Sequence, residues 1–157
     1  MLRDNGSTDE VDVTNGKQPA LDEIGPLDDI EVRLGADLAH LPIIRALVSN
    51  LAVRADFDLD TIADLRLAID EACSTLITRA QAGSLLTCRF VLEDGQLRFR
   101  GTVPSTDGEA PSSGSFGWRV LTTLADSAAS WVDVPAGGEQ VVHIELAKRR
   151  ADVRPGA

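Results

Sequence analysis

Glu71 and Thr75 stand four residues apart in the stretch 65–78, which reads Leu-Arg-Leu-Ala-Ile-Asp-Glu-Ala-Cys-Ser-Thr-Leu-Ile-Thr. That spacing puts a carboxylate and a hydroxyl on one face of a helix. Leu67 and Thr78 share the face, opposite the main apolar stripe, so the four can line a cleft. Two other stretches offer groups to a polar ligand. Asp107-Gly108 sets a carboxylate beside a glycine, although this pair reads more readily as a turn. Gly114-Ser115-Phe116-Gly117-Trp118 opens a helix, where unbonded backbone N–H groups attract anions. A phosphoryl-transfer site needs a metal ligand, a base or water-positioning carboxylate, and a hold on the nucleotide. These residues are of suitable types, but a lone helical Glu is more often a solvated surface carboxylate.

Other chemistries have less support. His40 and His143 stand apart from each other and from any cysteine, so the sequence gives no metal-ligand spacing. Cys73 and Cys88 lack a Cys-x-x-Cys arrangement, and two buried reduced thiols are favoured over a disulfide.

The elements that must position the polar residues can be read from periodicity. Ile30, Val32 and Leu34 alternate with Glu31 and Arg33, as in a half-buried strand that Gly35 ends. A first helix starts near Asp37 or His40, with Pro42 in its first turn and Leu41, Ile44, Val48 and Leu51 as its stripe. Asp56, Asp58 and Asp60 lead into a second helix, with Asp60 expected as its cap. Ile62, Leu65, Ile69, Ala72 and Leu76 form its buried face, and Gly83 stops it. Strands over 85–93 and 96–103 flank Asp94-Gly95, a strong hairpin signal. Residues 104–114 form a loop longer than a simple connection needs. A third helix is expected over 115–128, with Phe116, Val120 and Leu124 on one face. Strands over 130–134 and 140–147 close the domain around a turn at 136–138. The fold class is therefore α+β, a mostly antiparallel sheet with helices on one face. Residues 1–27 read as a disordered acidic tail, 28–148 as one domain and 149–157 as a frayed tail.

At 157 residues, the chain is long enough for one domain plus tails. Its 25 acidic and 15 basic residues give a formal charge of −10. A polyanion is a poor direct partner for nucleic acid or an anionic membrane, and it suits a basic protein surface. No segment approaches the roughly 20 apolar residues that span a bilayer. The N-terminus has no apolar core of the secretory kind, so a cytoplasmic location is expected.

The run Asp70-Glu71-Ala72-Cys73 resembles the nucleotide-binding helix of the GHKL ATPase superfamily, the group of gyrase, Hsp90, histidine kinases and MutL. Within it the run is most similar to the anti-sigma factor serine kinases, whose helix carries Asp/Ser-Glu-Ala-Cys-x-Asn. Thr75 stands where that family has Asn. The resemblance covers about residues 28–148 and implies the GHKL (Bergerat-type) two-layer sandwich. It also implies Glu71 as catalytic base and Thr75 at the Mg²⁺- and nucleotide-contacting position, where a hydroxyl is a shorter and poorer ligand than Asn. The family's Asp-x-Gly-x-Gly adenine motif would place its Asp near Val103, and Asp107-Gly108 substitutes only if the loop shifts. In the Gly-x-Gly-Leu phosphate motif Gly117 aligns, with Ser115, or Gly114 displaced by one, at the other glycine. The loop 104–114 matches the family's lid in position. ATP and Mg²⁺ are thus the implied cofactors, with binding weakened or lost. The implied function is an anti-sigma factor that sequesters a stress-response or sporulation-type sigma factor from RNA polymerase and is released by an anti-anti-sigma partner. The alternative is an active ATP-dependent serine/threonine kinase acting on that anti-anti-sigma factor. A homodimer formed through an edge strand is also implied.

Overall fold

The computed structural model describes residues 28–151. The expected acidic tail, 1–27, lies outside the described residues, as does most of the expected C-terminal tail. The alternating segment near the start is strand β1, Asp28–Gly35. After it, Asp37 caps a single 3₁₀ turn, Leu38–His40, by accepting the Ala39 amide at 2.9 Å. Helix α1, Leu41–Arg54, follows with Pro42 in its first turn. Its expected stripe, Leu41, Ile44, Val48 and Leu51, is buried.

Helix α2, Leu59–Arg79, is the long central helix. Its cap is Asp58 rather than the expected Asp60. Asp58 is extended, and its carboxylate accepts the Thr61 amide at 2.9 Å, while Asp60 already sits inside the first turn. There Asp60 still faces the positive end of the helix dipole. Ile62, Leu65, Ile69, Ala72 and Leu76 are all buried, as their spacing predicts.

Strands β2, Leu85–Glu93, and β3, Gln96–Pro104, form the expected hairpin. Asp94 and Gly95 both take positive φ, 53° and 72°, which a two-residue turn matched to strand twist requires. Helix α3 is shorter than expected, Phe116–Leu124, with β4, Ser127–Asp133, starting three residues early. The cause is long-range pairing. The Asp126 amide bonds the Ala147 carbonyl, and Lys148 Nζ donates to the Leu124 carbonyl at 2.8 Å, closing the helix end. Strand β5 runs from Val141 to Arg149, so it takes in the first residue of the expected tail.

The sheet order is β1-β2-β3-β5-β4, antiparallel throughout. Leu86, Cys88, Phe90, Leu97, Phe99, Val103, Val142, Ile144 and Leu146 point from it into the core beneath the helices. Phe90 and Phe99 sit opposite each other with ring centroids 5.3 Å apart. The two layers, an antiparallel sheet with the helices packed on one face, are those that the resemblance implies. Cys73 of α2 and Cys88 of β2 are buried free thiols. Burial and the neighbouring thiol together push the Cys73 thiol well up, the contact with Cys88 being the larger cause.

Candidate functional site

Helix α2 brings Glu71 and Thr75 to one partly buried face, and α3 packs alongside. Ser115 starts α3: it is extended, and its hydroxyl accepts the Trp118 amide at 3.1 Å. Gly117 then lies in the first turn, against α2. A Cβ added at Gly117 would fall on the Glu71 carboxylate. The glycine is therefore the opening through which Glu71 reaches the first turn of α3. The Glu71 carboxylate thus lies against the first turn of α3, where the helix dipole favours a negative charge.

Only part of the expected apolar face of α3 meets the core: Val120 and Leu124 are half-buried, and Phe116 is turned outward. Phe116 is 81% exposed, and the helix is anchored instead by Leu121, with Trp118 and Leu124 packed against the core. On a helix of only nine residues the steps of four through 116, 120 and 124 fit the apolar residues no better than the stripe through Trp118, Leu121 and Leu124.

At the other end of α2 the chain is tied to the start of the loop. The Gln81 amide donates to the Pro104 carbonyl at 3.0 Å, Gln81 Nε2 donates to the Ser105 carbonyl at 3.3 Å, and Ala80 bridges to Ser105. Ser105 is buried and organises a tight turn. Its hydroxyl accepts the Gly108 amide at 3.0 Å and donates to the Asp107 carboxylate at 3.1 Å, which also accepts the Glu109 amide at 3.0 Å. Gly108 is left-handed, φ 68°, and abuts the Gln140 side chain. The Asp107 carboxyl is held below the ordinary carboxylate range, first by the Glu109 amide, then by the Ser105 hydroxyl, with a smaller pull from the charge of Arg79. Asp107 and Gly108 thus form the turn their residue types suggest. Gly114 is exposed, and its amide bonds the Ser112 hydroxyl at 3.2 Å.

The structure joins Glu71 with Gly117, two residues past the Ser115 cap, at one end of the α2 face, and sets the Asp107–Gly108 turn near the other. Between them lies Thr75. Arg79, which the sequence reading did not single out, continues the same ladder, since 71, 75 and 79 are successive steps of four. That spacing was the available signal. Asp70 does not join the site: Arg45 of α1 grips it with two bonds, 2.7 and 3.3 Å. A cavity of about 390 Å³ is lined by Arg45, Ala63, Arg66, Leu67 and Asp70, and Leu67 is its one link to the predicted cleft face.

No known family profile matches the chain. Individual relatives do match. The anti-sigma-F factor RsbW of Mycobacterium tuberculosis is 33% identical over 124 residues, covering 78% of this chain and 74% of the relative. The serine-protein kinase RsbW of Bacillus velezensis is 33% identical over 54 residues, about a third of each chain. A solved chain holding RsbU and RsbW domains from Mycobacterium tuberculosis superposes with a TM-score of 0.61 at 18% identity. That match covers 82% of this chain and 34% of the other, and it supports the fold alone. With a third of its residues identical over most of both sequences, this chain belongs to the RsbW family of anti-sigma factors and serine kinases.

Proposed function

We propose that this protein is an anti-sigma factor of the sequestering kind. It holds a stress-response or sporulation-type sigma factor off RNA polymerase, and an anti-anti-sigma partner releases it. Family membership supports the role. The observation that favours sequestration over catalysis is the seat of Glu71 on Gly117, with Thr75 in the place of a metal-binding Asn.

The donor set fits Mg²⁺ poorly. A hard cation of this kind wants carboxylate, carbonyl and water oxygens in near-octahedral array. This face of α2 offers the Glu71 carboxylate and the Thr75 hydroxyl, the Thr78 hydroxyl being bonded to the Thr75 carbonyl, and no group of three or more His, Cys, Asp or Glu side chains that could hold a metal occurs among the described residues. A base positioned by metal-held phosphates therefore has little support here. Nucleotide itself remains compatible with the cleft at its Asp107–Gly108 end, away from the Glu71 carboxylate seated on Gly117.

The protein is further proposed to act as a homodimer of the domain 28–148. The support is strand β1, which forms an edge of the sheet and can pair with another strand. No helix among the described residues is long and apolar enough to cross a membrane, in keeping with a cytoplasmic partner.

The test is transcription in vitro by RNA polymerase carrying the candidate sigma factor. Added protein should inhibit at one protomer or one dimer per sigma factor without ATP, and the anti-anti-sigma partner should restore transcription. No inhibition at excess protein would reject the role. In parallel, Mg-ATP and the anti-anti-sigma partner should yield little phosphoserine. Robust transfer that Glu71→Ala abolishes, while sigma binding persists, would favour the kinase reading instead.

A further inference from the structure

Arg79 closes α2 and is partly buried, yet its Nε is fully buried with no hydrogen-bond partner among the described residues. A buried guanidinium N–H left unpaired is costly, and such a group calls for an explanation, a bound partner being one. The side chain belongs to the Glu71–Thr75–Arg79 ladder, on the face proposed above as the nucleotide cleft. It stands where Ala80 and Gln81 tie the end of α2 to Ser105 and Pro104 at the start of the loop, and the Asp107 carboxyl feels its charge. No hydrogen bond joins Asp107 to Nε, and its Oδ1 is already engaged by the Ser105 hydroxyl and the Glu109 amide.

A phosphate tail entering this cleft meets two obstacles. The metal position is Thr75, a poor ligand, and the Glu71 carboxylate lies against the first turn of α3, where it repels a phosphate. Both push the demand for positive charge toward the other end of the ladder. There Arg79 presents a forked, permanently charged donor set of the geometry that phosphate oxygens match. We propose that Arg79 replaces the divalent cation of this cleft: it binds the phosphate tail of a nucleoside diphosphate or triphosphate directly, and binding does not require Mg²⁺. The inference rests on reading the cleft as a nucleotide site.

The test is calorimetric titration of the whole protein with ADP, once in EDTA and once in excess Mg²⁺. ADP should bind in both, with affinities within about threefold. Adenosine should bind at least tenfold more weakly than ADP in EDTA, and pyrophosphate should compete with ADP but bind more weakly than it. Arg79→Gln should weaken ADP by about tenfold or more, the loss expected for a charge-assisted hydrogen bond. Arg79→Lys should recover part of it, keeping the charge without the fork. ADP binding seen only with Mg²⁺, or undiminished in a folded Arg79→Gln variant, would overturn the role of Arg79 and leave the nucleotide site standing. Pyrophosphate binding as tightly as ADP would mark a free-anion site and overturn the assignment to a nucleotide. ADP binding under neither condition would overturn the nucleotide reading and this inference with it. The comparison of EDTA with Mg²⁺ uses the wild-type protein, so it decides the matter even if neither variant folds.

Discussion

Gly117 has two demands on it that pull in opposite directions. Glycine weakens a helix, and replacing it by alanine gains up to about 1 kcal/mol of helix stability. The new methyl would meet the Glu71 carboxylate, but that group is the free end of a flexible side chain and can swing aside. Gly117→Ala should therefore leave stability unchanged or raise it by up to about 1 kcal/mol, while displacing Glu71 from the first turn of α3. Urea unfolding checks the first part. A loss above about 1 kcal/mol would mean that Glu71 is locked in place. Capping gives a second residue-scale test, in acid. The Asp58 carboxyl lies below the ordinary range, chiefly because of Thr61, whose side chain and amide both bond to it. A folded-state value below the unfolded one means the group stabilises the fold above the ordinary carboxylate range, about pH 4. That contribution is lost as pH falls through the lower, folded value. Asp58→Asn keeps a capping oxygen and cannot titrate, so its melting temperature should fall less steeply than wild type below about pH 4. Equal slopes would remove Asp58 from the acid response. At this scale the sequence exposed Glu71, Thr75 and Gly117 through spacing and glycine placement. It did not expose the Glu71–Gly117 contact or the unpaired Arg79 Nε, because both depend on where α3 and the loop settle against α2.

Among the elements, α2 carries the fold and the site together. One face supplies Leu65, Ile69, Ala72 and Leu76 to the core, and the other supplies the Glu71–Thr75–Arg79 ladder. Leu76 reaches down onto β3 at Gly101, where a Cβ would come within 2.6 Å of its Cδ1 and 3.0 Å of the Phe99 ring. Two substitutions test this packing from opposite sides. Leu76→Ala removes buried volume and should cost about 2–5 kcal/mol. Gly101→Ala adds a methyl where there is no room and should cost about 1–3 kcal/mol. A loss under about 0.5 kcal/mol for either, measured by urea unfolding, would contradict the α2–β3 contact. The same helix shows why some of the architecture was legible. Its stripe repeats over 21 residues, and the Asp94–Gly95 turn is a local signal of two residues, so both could be read directly. The end of α3 could not. Ala125 and Asp126 leave the helix because Asp126 pairs with Ala147, which lies far along the chain. The cap of α2 was displaced by two residues for a simpler reason: three aspartates in alternation all suit the start of a helix, and only backbone geometry chooses Asp58.

On the scale of the whole molecule, charge and fold act on different quantities. The formal charge of −10 does not specify the sandwich, which rests on its buried apolar layers. Several of the basic residues on the helix-free face of the sheet are already matched. Arg89 pairs with Asp29, and Arg100 pairs with Glu145, each at 2.7 Å, and Arg100 also lies over the Trp131 ring. Exposed pairs of this kind contribute little to stability, but they neutralise much of the positive charge of that face and leave the acidic excess to set the molecule's field. A sigma factor must present basic surface to DNA, so an acidic protein that covers it gains from long-range attraction during approach. Such attraction raises the association rate by about 10- to 1,000-fold and is screened beyond a Debye length of about 8 Å at physiological salt. Dissociation is governed by short-range contacts and changes less. The proposed complex should therefore associate at least about tenfold more slowly at physiological than at low ionic strength, with its dissociation rate nearly constant. Stopped-flow association and chase experiments across a salt series measure the two rates separately. A salt-independent association rate would remove electrostatic steering from the account, and a dissociation rate that carries most of the salt effect would place the critical ion pairs inside the interface.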